Sequence, residues 1–173
     1  MLDDTPPGGE LTIEVSDEQI ARYHAQGFLA IERITTDEEV AWIGRIFDAL
    51  FADRDKGLLV GYLDATRGYG AEGPARFGQV LFPEQRAPGL RDTVFARNAR
   101  RIASRLLEER EADLEAWGHM IDKPPGTGDE TPLHQDEAYW SNGLRYHAIW
   151  GWLALDDADE ENGCLWYLPG THL

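Results

Sequence analysis

The sequence predicts an α+β fold, with helices in the N-terminal part and a β-sandwich or barrel after them. Two observations carry this. Up to about Ala112, apolar residues recur at helical spacing behind capping residues, whereas beyond it they alternate, which is the strand period. Five of the six Trp lie from Trp117 onward, as expected where a β core is being filled. No internal repeat interrupts this order, and helices followed by strands is the signature of α+β rather than of an alternating parallel fold.

The length, 173 residues, suits a single domain (1–173), which would bury roughly 70% of its unfolded surface. Residues 1–15 are expected to be a loose lead-in: Met1 to Glu10 is acidic and rich in Pro and Gly, and lacks the basic and apolar regions of a signal peptide. Ser16-Asp-Glu-Gln19 is a capping box, in which the Ser hydroxyl accepts from the third helical N–H and Gln19 reaches back. Ile20, Tyr23 and His24 then lie at i, i+3 and i+4 on a short amphipathic helix, with His24 on the packing face and Gly27 placed to end it in a left-handed cap. Phe28–Ile31 reads as a short buried strand. Thr36-Asp-Glu-Glu39 repeats the capping logic ahead of a second helix of about four turns, with Val40, Ile43, Phe47 and Leu50 as its stripe and Ile46 and Phe51 beside it.

From Lys56 to Pro88 glycines dominate, which predicts loops and short strands. Leu90 to about Glu109 is helical, Ile102, Ala103 and Leu106 forming one face and Arg100, Arg101, Arg105 and Glu108 the other. Leu114–Ile121 reads as a strand ended by Lys123-Pro-Pro-Gly126. A long strand follows in which Tyr146, Ala148, Trp150, Trp152 and Ala154 alternate with Arg145, His147, Ile149, Gly151 and Leu153. Asp156 to Asn162 is an acidic turn closing on Asn162-Gly163, and Cys164–Leu168 returns as another strand stopped by Pro169-Gly170.

A formal charge of −16 repels phosphate backbones, so no nucleic-acid partner is expected. The local exception is Arg86, Arg91, Arg97, Arg100, Arg101, Arg105 and Arg110, either a solvated helix face or a docking surface for an anion. No run of about 18 apolar residues is present, so no membrane span is expected. A single cysteine, Cys164, excludes an internal disulfide and suits a cytoplasmic location.

Chemistry concentrates at His134-Gln135-Asp136. In an extended chain, side chains at i and i+2 share a side, so the imidazole and the carboxylate would face one cavity with Gln135 turned away. That is two thirds of the 2-His-1-carboxylate face that holds non-haem Fe(II) with open positions. A bare H-x-D is weak by itself, since a surface His beside a carboxylate gives the same text.

Two further blocks, in register with this one, raise its specificity. Met120-Ile-Asp-Lys-Pro-Pro-Gly126 precedes Thr131-Pro-Leu-His-Gln-Asp-Glu-Ala-Tyr-Trp140, and Trp152-Leu-Ala-Leu-Asp-Asp157 continues to Glu161-Asn-Gly-Cys-Leu165 and Leu168-Pro-Gly-Thr-His172. In content, order and spacing these resemble the phytanoyl-CoA dioxygenase family of Fe(II)/2-oxoglutarate oxygenases, clearly from about His119 and faintly back to Gly27. The resemblance implies a double-stranded β-helix (jelly-roll, cupin-like) core under the N-terminal helices. It also implies His134 and Asp136 as iron ligands, with Gln135, Trp152 and His119 in the cosubstrate region. Composition alone would make Trp152 core and leave His119 unassigned, while Tyr139 and Trp140 either line the substrate mouth or pack its rim.

The family's second histidine, and the Arg that pairs with the far carboxylate of 2-oxoglutarate, lie downstream of the Pro-Gly-Thr-His block. The chain is therefore expected to be a C-terminally truncated member, its jelly roll incomplete and its activity lacking in isolation; His147, facing opposite Trp152, and His172, near the chain end, are poor substitutes. The implied reaction is hydroxylation of a C–H bond of a small organic substrate with Fe(II), 2-oxoglutarate and O2. Halogenating relatives replace the carboxylate by a small residue, so Asp136 favours hydroxylation. The acidic surface suits a polyanionic coenzyme A ester poorly. The alternative is a non-catalytic jelly-roll module that binds metal or a partner.

Overall fold

The computed structural model of the protein describes residues 4–55, 62–64, 68–69, 77–126 and 131–173. Helix α1 spans Asp17–Gln26, and its start is the capping box read from the sequence: Gln19 N–H donates to Ser16 Oγ at 3.2 Å and Ser16 N–H to Gln19 Oε1 at 2.9 Å. Gly27 ends it in the left-handed region at φ 87°, its N–H returning to Tyr23 O at 2.7 Å. Phe28–Ile31 forms no strand; Leu29 and Ile31 instead pack irregularly against Val15, Ile102 and Leu106.

Helix α2 spans Asp37–Asp55, longer than the four turns expected. Its buried face is Trp42, Ile43, Ile46, Leu50 and Phe51, so Ile46 rather than Phe47 lies at the centre of the predicted stripe. Only half of the second capping box forms. Glu39 N–H donates to Thr36 Oγ1 at 3.2 Å, but the Glu39 carboxylate turns inward, fully buried, to the start of helix α3 (Val94–Leu107). There it accepts from Val94 N–H at 2.6 Å, Phe95 N–H at 2.8 Å and the Thr35 hydroxyl at 2.5 Å. A helix start offers orphan N–H donors and a positive dipole end, which outcompete the single exposed N–H that a local box would satisfy.

The predicted helix from Leu90 begins later, because Pro88–Asp92 forms a 3-10 turn and Thr93 is the N-cap, accepting from Ala96 N–H at 3.1 Å. Its apolar face is as read, Ile102 and Leu106 being buried. Buried Asn98 accepts from Ile13 N–H at 3.2 Å and donates to Leu11 O at 2.9 Å and Ile34 O at 2.8 Å. The lead-in thus has no regular secondary structure from Asp4 to Val15, yet it is pinned rather than loose, with Arg97 also donating to Gly9 O at 3.1 Å.

Four antiparallel strands form one sheet in the order β2-β1-β3-β4: β1 is Tyr62–Asp64, β2 Gly68–Tyr69, β3 Gly78–Leu81 and β4 His119–Asp122. The rest of the glycine-rich Lys56–Phe77 reading lies largely outside the described residues. Val80 pairs with Met120, and both are buried against the α2 side chains; Leu81 pairs with His119 on the opposite face. The sheet therefore separates the α2 core from the side on which His119 stands.

Leu114–Ile121 is strand only from His119, and Lys123-Pro-Pro-Gly126 closes it as expected, Gly126 adopting φ 72°. The expected strands at Arg145–Ala154 and Cys164–Leu168 are not observed, and the jelly-roll core is not formed among the described residues. Alternation is a property of one chain, whereas a strand needs a second. The facing nonetheless follows the alternation: Ile149 packs on the Val15–Ile102–Leu106 cluster and Leu153 on the α2 core, while Trp150 and Trp152 stay half exposed. The acidic turn forms, Asp159 Oδ1 accepting from Glu161 N–H at 2.9 Å and Asn162 N–H at 3.0 Å, with Gly163 at φ 107°.

Candidate metal centre

Residues 131–135 run without helix, and Gln135 is extended at φ −108° and ψ 129°. A 3-10 turn, Asp136–Tyr139, begins at the second predicted ligand itself. The extended residue between them lets the two side chains converge: His134 Nε2 lies 3.1 Å from Asp136 Oδ1. On its other side, His134 Nδ1 is 2.8 Å from Pro132 O. A carbonyl can only accept, so Nδ1 carries the proton and Nε2 presents its lone pair to the carboxylate. Two acceptors at this distance repel unless a second proton or a cation lies between them.

The spacing suits a cation. Adjacent ligands of an octahedral ion with bonds of about 2.1 Å stand about 3 Å apart. A ligating imidazole whose other N–H is tied to a backbone carbonyl is also the usual way a metal-bound tautomer is fixed. The donor set therefore fits Fe(II) or a similar divalent ion.

Aromatic rings flank the pair. Tyr139 meets His134 edge-on at 5.5 Å between centroids. His119 stacks on Trp150 at 5.5 Å with planes 17° apart, and Trp150 meets Trp117 edge-on at 5.2 Å and lies 6.1 Å from Trp140. Burial holds the His119 imidazole below its ordinary pKa, and the nearby Asp136 carboxylate opposes that shift only in part. Burial and the same carboxylate push the Tyr167 phenol up. Asp136 thus acts on groups from β4 and from the Cys164–Leu168 segment, so three stretches distant in sequence meet at this point.

Of the sequence-predicted residues, His134 and Asp136 come together and His119 stands within reach of the Asp136 field. Gln135 turns away and donates to Thr171 O at 2.5 Å. Trp152 is half exposed, and the indole stacked on His119 is Trp150, two positions earlier on the same side of the chain. Trp150 and Tyr167 were not singled out from the sequence, although the alternation placed Trp150 with Trp152. His147 points Nδ1 at Glu109 Oε1, 3.5 Å away, and His172 Nε2 bonds to His24 O at 3.1 Å. No cluster of three or more His, Cys, Asp or Glu that could hold a metal occurs among the described residues.

The arginine cluster resolves mostly into local pairing. Arg110 bonds Asp113 at 2.6 Å, Arg105 bonds Asp17 at 3.3 Å, Arg101 lies 3.9 Å from Glu111, and Arg97 donates to Asp92 O at 2.6 Å. These four of the seven arginines are thus paired within the fold, as on a solvated helix face.

Sequence comparison places this geometry among relatives. The sequence profile described as phytanoyl-CoA dioxygenase (PhyH) matches residues 23–173. Phytanoyl-CoA dioxygenase 1 of Oryza sativa subsp. japonica is 28% identical over 196 residues, a match covering 96% of this chain and 67% of that protein. The phytanoyl-CoA dioxygenase of Arabidopsis thaliana is 22% identical, covering 94% and 66%. Among solved structures, EvdO2 from Micromonospora carbonacea var. aurantiaca, complexed with 2-oxoglutarate, superimposes with a TM-score of 0.59 at 30% identity, over 77% of this chain and 53% of that one. The chain thus spans about two thirds of the plant proteins and about half of EvdO2. Its sequence blocks, its convergent His134–Asp136 pair and a profile match over most of its length agree: the chain belongs to the phytanoyl-CoA dioxygenase family.

Proposed function

We propose that this chain carries the His-x-Asp half of an Fe(II)/2-oxoglutarate-dependent oxygenase site that hydroxylates a C–H bond of a small organic substrate. The observation that carries the reading is the 3.1 Å approach of His134 Nε2 to Asp136 Oδ1 with Nδ1 secured on Pro132 O. When bound, iron with 2-oxoglutarate and O2 supplies the oxidising chemistry that no side chain possesses. His134 and Asp136 hold the metal, and the Pro132 carbonyl keeps the imidazole in the metal-binding tautomer. His119, kept neutral by burial, offers a hydrogen-bonding group without adding charge beside the metal. Trp150 stacks on His119 and Trp117 meets Trp150 edge-on, so these rings hold the His119 imidazole in place on that side.

The remaining imidazole and an Arg for the far carboxylate of 2-oxoglutarate come, in this reading, from the part of the family domain that the chain does not span, as do the strands completing a jelly roll. Trp152 stays a candidate for the cosubstrate region, whereas Gln135 is turned from the ligands onto Thr171 O. No helix among the described residues is long and apolar enough to cross a membrane. The single cysteine supports a cytoplasmic site of action in this reading, and the acidic charge speaks against a nucleic-acid partner. The acidic surface favours a neutral or cationic substrate over a coenzyme A ester.

The second reading, a metal-binding module without catalysis, is favoured by one observation: only two ligands converge among the described residues. Binding and turnover separate the two. His134→Ala and Asp136→Ala should each weaken Fe(II) binding, measured anaerobically by calorimetry, by more than the about 100-fold that loss of an outer partner can cost. Unchanged affinity in either variant overturns the ligand assignment. Metal binding without 2-oxoglutarate-dependent succinate release, in a protein extended to the full family domain, selects the non-catalytic module.

A further inference from the structure

The residue between the two ligands is tied to a part of the fold remote from it. Gln135 points opposite to His134 and Asp136, as the alternation of an extended chain requires, and its carboxamide donates to Thr171 O at 2.5 Å. Thr171 belongs to the turn Leu168–His172, whose hydroxyl and backbone close on Leu168 O, the Thr171 Oγ1 contact being 2.9 Å. That turn is fastened to the C-terminal end of α1. Gly170 N–H donates to Gln26 O at 2.9 Å and His172 Nε2–H to His24 O at 3.1 Å, so two carbonyls that every helix end leaves without intrahelical partners are satisfied by one turn.

Two packing contacts reinforce the attachment. Tyr167 stacks on Phe28 with centroids 4.9 Å apart and planes 15° from parallel. Gly27 leaves no space to spare, since a Cβ there would overlap the His172 ring. Among the described residues, the other contacts of the ligand segment lie mainly at its two ends, and at the far one Trp140 meets Tyr146 and Trp150. Leu133 is 64% and Tyr139 76% exposed, so apolar burial does not fix its position, and Lys123 Nζ to Thr131 Oγ1 at 2.9 Å secures only its beginning.

We propose that Gln135 is a positioning residue: through Thr171 and the Gly170–His172 turn, it latches the ligand segment to the end of α1 and so sets the orientation of both metal ligands. This rests on the metal reading of His134 and Asp136. A carboxamide fits the task because it must donate to a carbonyl while adding no charge beside the ligands. Glutamate, of the same length, can only accept in its ionised form and would be repelled by Thr171 O.

The test uses the full chain and Mn(II) alone, a redox-stable stand-in for Fe(II), with binding read from paramagnetic broadening of histidine NMR signals. Gln135→Met and Gln135→Glu should each weaken Mn(II) binding by about tenfold or more while the metal-free thermal midpoint stays at the wild-type value. His172→Ala, which frees the far end of the latch, should weaken it too, and the Gln135→Met/His172→Ala pair should bind no worse than Gln135→Met alone, as members of one chain of contacts do. Wild-type affinity in Gln135→Met, additive losses in the pair, or a metal-free midpoint that falls with the affinity would each overturn the latch. Absence of Mn(II) broadening in the wild type would instead overturn the metal reading on which the latch depends.

Discussion

At the scale of single residues, the site was legible where chemistry depends on neighbours in sequence. His134 and Asp136 converge because one extended residue separates them, and that spacing is written in the chain. The anchor on Pro132 O and the latch to Thr171 were not legible, because the first needs a tautomer and the second a contact across 36 positions. His119 belongs between these cases. Its partners, Trp117 and Trp150, come from the irregular segment just before β4 and from a stretch about thirty residues on, yet burial among them lowers its pKa from the ordinary 6.5. The consequence for stability has a definite sign. As pH falls below the ordinary value, the unfolded chain takes up a proton at this position while the folded chain resists it. Stability is therefore intact above about pH 6.5 and is lost as pH drops through the depressed folded value. His119→Gln, which cannot titrate, should show a shallower fall in thermal midpoint between about pH 7 and pH 5 than the wild type. Parallel midpoint curves would remove His119 from the acid sensitivity of the fold.

At the scale of elements, capping text was the most reliable guide, and its one failure is informative. Ser16-Asp-Glu-Gln19 closes on itself because its surroundings are exposed and offer nothing better. Thr36-Asp-Glu-Glu39 carries the same text, but Glu39 lies at a buried junction where the start of α3 presents the Val94 and Phe95 N–H groups. No local pattern distinguishes those two outcomes; only the packing of α2 against α3 does. The junction is an unusual place for a carboxylate, fully buried and satisfied by three donors, of which two are helix-start amides. Glu39→Ala leaves all three donors without their acceptor inside the core, which should cost on the order of 3 kcal/mol or more in chemical denaturation. Glu39→Gln keeps one acceptor oxygen of nearly the same shape and should cost less. Equal stability of Glu39→Ala and wild type would show that the α2–α3 junction does not depend on this carboxylate. The long strands misread at Arg145–Ala154 and Cys164–Leu168 are the converse case: their alternation set which side chains face inward, but pairing depends on partners that alternation does not encode.

At the scale of the whole molecule, two opposing surface properties decide how the chain behaves in solution. The apolar exposure is concentrated in the C-terminal third, where Leu144, Trp152, Trp166, Tyr167 and Leu168 are each at least 50% exposed. Scattered apolar residues are ordinary on a monomer, but this many in one region makes a surface prone to association. A formal charge of −16 works against that tendency, since copies of a strongly acidic chain repel one another at long range. The two effects differ in their response to salt. Repulsion between exposed charges fades beyond a Debye length, which is roughly 30 Å at very low ionic strength and about 8 Å under physiological conditions. Apolar attraction acts at contact and is not screened. Raising the salt therefore removes the barrier while leaving the attraction, and the chain should shift from monomer at 19.5 kDa toward larger species as sodium chloride is increased, read by sedimentation velocity. Trp166→Glu, which adds charge and removes apolar surface in the same place, should suppress that shift without changing the fold seen by circular dichroism, because Trp166 is 65% exposed. A sedimentation profile that does not move with salt would mean that the exposed rings of the C-terminal third do not govern association.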